Sequence, residues 1–312
     1  NGDVADLMEE LSGLSINGVA ENGAQYLDLG QRGLKGKTEF FYRRGDGSSL
    51  YATRDIAYHR WKWRQCDRLV NVLGEDHKLQ AQQVGLTLVE LGERKPEVMF
   101  YSFIKLPEGK MSTRRGNVVF MDDLLEEAHA HAKEVLKERR PELSASEVAN
   151  IAEAVGTSAV RFNIVNVSPE KGFTFRWEDA LSFEAGSAPF IMYSHTRACS
   201  IRRRVQEIDP HAEPSSFVDM PDENQMPEGL VALLRTLAVH DDRLSKAVRE
   251  HRPNLFAEYM LHLSTAYNMF YRDCYIVQDG QINTFFYTVS ELARAALKGG
   301  MEGLGIVALE SM

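Results

Sequence analysis

No stretch of the 312 residues holds the roughly eighteen consecutive apolar side chains that a membrane-spanning helix needs. Excess positive charge is missing too. Lys plus Arg total 36 against 45 for Asp plus Glu, a net charge of -9, so any surface for a polyanion must be a local basic patch. Cysteine is scarce: Cys66, Cys199 and Cys274 are far apart and odd in number, which fits neither a disulfide framework nor a thiolate metal site. They read as buried thiols of a reducing cytosol. Low-complexity tracts and internal repeats are absent, as are a signal peptide and an initiator methionine, and the opening NGDVADLMEELSGLSING reads like the middle of a protein. The length suffices for two domains, each with its own core.

The first third of the chain is mixed. Residues 3–14 predict a short amphipathic helix, followed by the short segments AQYLDL and TEFFYRR between Gly- and Asn-rich turns. The turn at 44–49 has Asp-Gly at its centre, which predicts a hairpin between EFFYRR and LYAT. The apolar run 69–73 ends at a glycine and two carboxylates, as a buried parallel strand ends at a site. Ala81, Val84, Leu88 and Leu91 then mark one face of a helix that stops at Gly92, and EVMFYSFIKL predicts a second strand. Strand, helix, strand spells a βαβ unit of a doubly wound sheet.

Beyond residue 120 the pattern turns helical. A helix ends before Pro141, and Ser144 with Glu147 forms the capping box of the next. Ile191, Ser194, Ala198, Ile201 and Val205 share one face, with Pro189 suited to the first turn. Phe256, Tyr259, Leu263, Ala266 and Phe270 do the same in a later helix, and 209–229, with Pro210, Pro214, Pro221 and Pro227, predicts a loop.

Several stretches could carry chemistry. LPEGKMSTRRGNVVF, 106–120, gathers Lys110, Arg114 and Arg115 around Met111, Ser112 and Thr113 between two glycines. Such a loop can close cations over a polyphosphate whose charge grows as a phosphoanhydride breaks; a solvated basic turn is the plainer alternative. GEDHKLQ places Glu75, Asp76 and His77 just after a parallel strand, where ligands of open α/β sheets bind, although Asp76 is equally suited to a helix cap. Tyr51 and Asp55 lie four apart in LYATRDIAYHRW, a phenol and a carboxylate suited to a cationic group, unless Asp55 merely pairs with Arg54 or Arg60. SIRRRV follows Phe190 and Tyr193 on one helix, and Tyr267 and Tyr271 lie four apart on another; basic and aromatic side chains together can grip phosphates and stack bases, or be solvated face and core. With His129, His131 and His195 remote from His77 in sequence, a metal cluster is left open but unsupported.

Read together, these blocks resemble a known family. KMSTRRGNVV resembles the KMSKS signature of class I aminoacyl-tRNA synthetases in the form used by arginyl-tRNA synthetases. SLYATRDIAYHRWKW, VNVLGEDHKLQAQQV, VSPEKGFTFRWEDALSFE, APFIMYSHTRACSI and GLGIVALESM agree with that branch and occur in its order from about residue 39 onward. A HIGH-type motif and the N-terminal appended domain of the arginyl enzymes are missing. The resemblance therefore implies a C-terminal portion: α/β plus α, the second half of a Rossmann-type catalytic domain with part of its insertion at 1–122, connecting helices and a stem-contact region at 123–185, and an α-helical anticodon-binding bundle at 186–312.

Carried over by matching position, the resemblance implies three sites. Tyr51 and Asp55 would hold the guanidinium of substrate arginine, with His77 beside the same pocket; a planar fork of donors calls for a carboxylate, and lysine would fit it poorly. ATP, with its magnesium and without a protein-bound metal, would lie across the strand ends, Gly74 and Asp76 near the adenosine. Lys110, Met111, Ser112, Arg114 and Arg115 would close over the phosphates as arginine's carboxylate attacks and pyrophosphate leaves. The second lysine of KMSKS is Thr113 here, so its task passes to Lys110, Arg114 or Arg115. Tyr193, Arg197, Tyr267, Tyr271 and Met312 would contact the arginine-specific tRNA, whose splayed anticodon bases need stacking partners. The family further implies a cytoplasmic enzyme, free of membrane and monomeric when full length. A free-standing RNA-binding fragment without chemistry is the alternative from another class. A cysteinyl or glutamyl synthetase is disfavoured by the acidic Asp55 and the scattered cysteines.

Overall fold

The computed structural model describes residues 2–105, 120–182, 186–215 and 226–312. Its contacts divide the chain into two compact units, Asn1–Phe103 and Ile104–Met312.

The first unit opens with α1 (Gly2–Ser12) and an antiparallel sheet in the order β1 (Asn17–Val19), β2 (Gln25–Asp28), β3 (Glu39–Arg43). Leu7 and Leu11 of α1 meet Leu27, Phe40 and Tyr42 of the sheet in a core that also takes Ile56, Val84 and Leu88. The expected hairpin between EFFYRR and LYAT does not form. The Asp-Gly turn is present, with Gly47 at φ 84° and Arg44 N–H donating to Ser48 O at 2.9 Å. Beyond it only Arg43 bridges Ser49, while β3 takes its ladder from β2, and the returning segment becomes α2 (Tyr51–Trp63). Leu50 N–H (3.2 Å) and the Thr53 hydroxyl (2.5 Å) both donate to Tyr42 O, which fastens the helix start to β3.

The βαβ unit is observed: β4 (Val70–Gly74), α3 (Lys78–Glu90) and β5 (Glu97–Tyr101), with β4 and β5 parallel from Val70↔Glu97 to Gly74↔Tyr101. Val84 and Leu88 are buried, Ala81 and Leu91 half-buried, and Gly92 turns at φ 75° just past the helix. Two expectations need correction. β4 is not buried: Val70 and Val72 are 39% and 56% exposed. A parallel strand is covered on both sides only where other elements pack on both faces, and among the described residues β5 is its one ladder partner. EVMFYSFIKL is also not one strand, because it breaks at Ser102 and Phe103, and β6 (Ile104–Lys105) pairs instead with β7 (Phe173–Thr174).

The second unit is a helical bundle. Between β6 and β7 run α4 (Met121–Arg139) and α5 (Ala145–Val165); after them come α6 (Trp177–Ala180), α7 (Ala188–Ile208), α8 (Glu228–Ala238), α9 (His240–Glu250), α10 (Pro253–Asp273), the short antiparallel pair β8 (Val277–Gln278) and β9 (Gln281–Ile282), and α11 (Thr284–Gly303). The capping box is formed as the sequence predicts, Glu147 N–H donating to Ser144 Oγ (3.3 Å) and Ser144 N–H to Glu147 Oε2 (2.9 Å). Pro189 sits in the first turn of α7 behind its Ser187 cap. Ile191, Ser194, Ala198 and Val205 are buried and Ile201 half-buried; Phe256, Tyr259, Leu263, Ala266 and Phe270 all lie in the core. α8 and α10 approach so closely at Gly229 that a Cβ there would meet Met269 O at 2.6 Å, an overlap that costs about 1–3 kcal/mol in a packed core. The described parts of 209–227 form no helix or strand beyond the end of α7, Ile208.

Candidate functional site

Tyr51, Asp55 and His59 follow one another at four-residue spacing along α2, on a single face. Exposure falls along the series: Tyr51 is 75% exposed, the Asp55 side chain 31%, and His59 3%. Neither Arg54 nor Arg60 pairs with Asp55. Arg54 donates to Ser49 Oγ at 3.3 Å, and Arg60 is held by Glu10 at 2.7 and 2.9 Å with Glu93 at 3.3 Å. The partner of Asp55 is His59, whose Nδ1 lies 2.8 Å from the Asp55 carbonyl oxygen and 3.2 Å from Oδ1. On its other side His59 Nε2 lies 2.7 Å from Asn71 Nδ2 of β4. The helix bearing Asp55 is thereby tied to the strand that ends at Gly74. Sequence reasoning missed both residues; the spacing 51, 55, 59 carried a signal for His59, and nothing local marked Asn71.

At the end of β4, Gly74 lies against the Asp76 side chain, and a Cβ there would meet Asp76 Oδ1 at 2.6 Å unless that exposed carboxylate turned away. A single 3-10 turn, Glu75–His77, follows and leads into α3. Glu75 Oε1 accepts from the Ser102 hydroxyl at 2.9 Å, which fixes the turn against the end of β5. Asp76 and His77 are exposed side by side, His77 Nε2 standing 3.9 Å from Asp76 Oδ2. His77 has no hydrogen bond to Tyr51 or Asp55 among the described residues. Lys110, Met111, Ser112, Arg114 and Arg115 lie outside the described residues.

A second cluster forms on the helical unit. The Arg197 guanidinium lies 4.5 Å from the ring centre of Tyr193 and 5.1 Å from that of Tyr271, between two aromatic faces. Its Nη1 donates to Asn268 Oδ1 at 2.7 Å, and Asn268 Nδ2 donates to Ser194 Oγ at 2.9 Å. Tyr193 and Tyr271 remain 39% and 41% exposed. Tyr267, expected beside them, is instead a core residue. Its ring is 0% exposed and its hydroxyl pairs with Ser290 Oγ at 3.1 Å, and burial raises its pKa, so no face is free to stack. Met312 likewise packs into the core, its carbonyl accepting from Arg140.

His129, His131 and His195 each have their own partner. His129 Nε2 lies 2.9 Å from Thr157 Oγ1, and His131 lies 3.7 Å from Glu127. His195 is buried against Leu309 O (2.8 Å) and Cys199. Among the described residues no group of three or more His, Cys, Asp or Glu side chains could hold a metal ion. A cavity of about 420 Å³ opens among α8, α9 and α10, lined by Arg235, Arg243, Lys246 and Tyr259 among others, and shares no residue with either cluster.

Two family models match the chain. Residues 4–177 match the family described as tRNA synthetases class I (R), catalytic domain, and residues 191–312 match the DALR anticodon binding domain. The first match runs past Phe103 through α4 and α5, so the catalytic family extends beyond the first compact unit. An arginine-tRNA ligase of Methanocella arvoryzae is 43% identical over 94% of this chain and 50% of its own length. One of Methanococcoides burtonii is 39% identical over 100% of this chain and 54% of its own length. The chain thus spans about half the length of the curated relatives it matches. Thermus thermophilus arginyl-tRNA synthetase shares the fold, with a TM-score of 0.82 at 23% identity over 100% of this chain and 58% of that one. By these matches the chain belongs to the arginyl-tRNA synthetase family.

Proposed function

We propose that the chain forms the C-terminal portion of an arginine-tRNA ligase, supplying the arginine-recognising helix, one wall of the ATP site and the tRNA-binding bundle. The observation that carries this is Asp55. Its carboxylate is half-exposed on α2 and, among the described residues, no Arg or Lys neutralises it. Tyr51 stands one turn earlier on the same face, open to close on a ligand. A guanidinium offers two parallel N–H donors to such a carboxylate, where an ammonium would offer a single point charge.

ATP, entering with Mg²⁺ as substrate, lies across the strand ends beside Gly74 and Asp76, with Lys110, Met111, Ser112, Arg114 and Arg115 over its phosphates. Arginine's carboxylate attacks the α-phosphorus, the bond to pyrophosphate breaks, and the loop cations stabilise the charge that spreads onto the leaving group. A ribose hydroxyl at the 3′ end of tRNA then attacks the arginyl adenylate, and AMP leaves. Tyr193, Arg197 and Tyr271 meet the tRNA, Arg197 taking phosphate or base and the rings stacking. His77 borders the arginine pocket. The functional division is 1–122, 123–185 and 186–312, in a cytoplasmic protein that is monomeric at full length.

In the full-length enzyme, Asp55→Ala should raise the arginine KM by about a hundredfold to ten-thousandfold, as two charge-assisted hydrogen bonds of about 1.5–3 kcal/mol each are lost. The ATP KM should stay near wild type, and equal effects on both would refute guanidinium recognition. The 312-residue chain alone should give no ATP–pyrophosphate exchange; robust exchange would show that the remaining half of the relatives' length is dispensable.

A further inference from the structure

We propose that the cleft among α8, α9 and α10 is an anion site that binds a phosphate group, on the face of α10 opposite Tyr271.

Two helices supply the charge. Arg235 stands in the last turn of α8, and Arg243 and Lys246, three apart, share a face of α9; all three are exposed and line the cavity of about 420 Å³. Among the described residues none of the three has a hydrogen bond or an ion pair. Arg32, Arg60 and Arg272, by contrast, are each held by a carboxylate. One acid, Glu258, also lines the cleft and leaves the cations in excess; Asp241 and Asp242, in the first turn of α9, are not part of the lining.

The third wall comes from α10, where Leu255, Glu258, Tyr259 and His262 recur at three and four residues on one face. The Tyr259 hydroxyl donates to Thr236 O at 3.1 Å and lies 3.1 Å from His240 Nδ1, so that wall is fixed. Burial pushes the Tyr259 pKa up to about 12, and the phenol stays neutral beside an anion. Tyr271 lies nine residues beyond His262, about two and a half helical turns, so the two side chains leave α10 on opposite sides. A nucleotide stacked on Tyr271 does not fill the cleft.

The ligand chemistry follows from number and placement. Unpaired like charges that converge on one cavity focus their field there and suit a compact anion, and the volume lies in the range of small-ligand sites. A phosphate presents its oxygens tetrahedrally to donors that approach from several directions, where a carboxylate presents two in one plane, and each guanidinium can take two phosphate oxygens side by side.

The test uses the 312-residue chain with inorganic pyrophosphate as the probe. Lys110, Arg114 and Arg115 are all replaced by glutamine in the background, so that the loop assigned to ATP does not contribute. Titration calorimetry should show saturable binding, with a Kd roughly tenfold to hundredfold higher in Arg243→Gln/Lys246→Gln, as charge-assisted hydrogen bonds are lost. The exchange Arg243→Lys/Lys246→Arg, which conserves charge, should keep most of the affinity, and Tyr271→Ala all of it. No saturable binding, an unmoved Kd in the glutamine pair, or an equal loss in the charge-conserving pair would overturn the proposal. Binding of the arginine-specific tRNA then separates two sources of the phosphate. If the glutamine pair weakens it and lowers the slope of log Kd against log salt by about 0.7–0.9 per lost contact, the group belongs to the RNA backbone. If tRNA binds as before while pyrophosphate does not, the site serves a free phosphate compound.

Discussion

Replacing Tyr271 by alanine should separate a stacking surface from a structural contact, because the two roles predict different losses in different assays. Arg197 sits 5.1 Å from the Tyr271 ring centre, but it also keeps Tyr193 at 4.5 Å and the 2.7 Å bond to Asn268. A cation–π contact at an exposed site is worth about 0.5–1 kcal/mol, so urea denaturation of Tyr271→Ala should show a loss near about 1 kcal/mol. If the ring also stacks on a base, tRNA affinity should fall by a further 1–3 kcal/mol, roughly 5- to 150-fold in Kd. Because the side chain is uncharged, the slope of log Kd against log salt should not change, whereas Arg197→Ala should reduce it by about 0.7–0.9 if the guanidinium meets a phosphate. Tyr267→Phe is the internal control. It removes the buried hydroxyl contact with Ser290 and should cost about 1 kcal/mol of stability while leaving tRNA binding untouched. The reasoning is refuted if Tyr271→Ala loses stability as expected yet binds tRNA with wild-type affinity.

The contrast between these two tyrosines also shows what spacing conveys. Four residues apart they share a face of α10, and sequence alone treats them alike. Yet Tyr267 is fully buried, while Tyr271, in the last turn of the helix, is 41% exposed. Helical periods in α7 and α10 were legible because each buries a continuous stripe. The hairpin misled because a turn signal acts over four residues, while the strand expected after it carried the four-residue spacing of Tyr51 and Asp55, and that period won. β4 misled in the other direction, since composition reports that a strand is apolar and not which elements cover it. His59 and Asn71 lie 12 residues apart on different elements, and only the packing of α2 on β4 brings them together. The lysine and arginines of 110–115 lie outside the described residues, and their reading rests on the family resemblance.

Ser144→Ala should lower stability by about 1 kcal/mol, read in urea, because Glu147 N–H loses its cap and the reciprocal bond loses its geometry; an unchanged midpoint would show that the box is ornamental to α5. A larger effect should appear at acid pH through His195. Its ring is 0% exposed between α7 and the Leu309 carbonyl, and burial lowers its pKa from the usual 6.5 even though that carbonyl, at 2.8 Å, favours the protonated form. At neutral pH both the folded and the unfolded ring are neutral. As pH falls below 6.5 the unfolded chain binds a proton that the folded chain does not, so stability is present above that pH and drains away below it until the folded pKa is reached. One proton of difference gives a slope of up to about 1.4 kcal/mol per pH unit. His195→Gln can still offer an N–H to Leu309 but cannot titrate, so its acid limb should be shallower by up to that amount even if its neutral stability is lower. Denaturation midpoints measured from pH 7 to pH 5 decide it: parallel limbs would mean that the folded ring takes up its proton as readily as the unfolded one, and that the burial of His195 sets no part of the acid response.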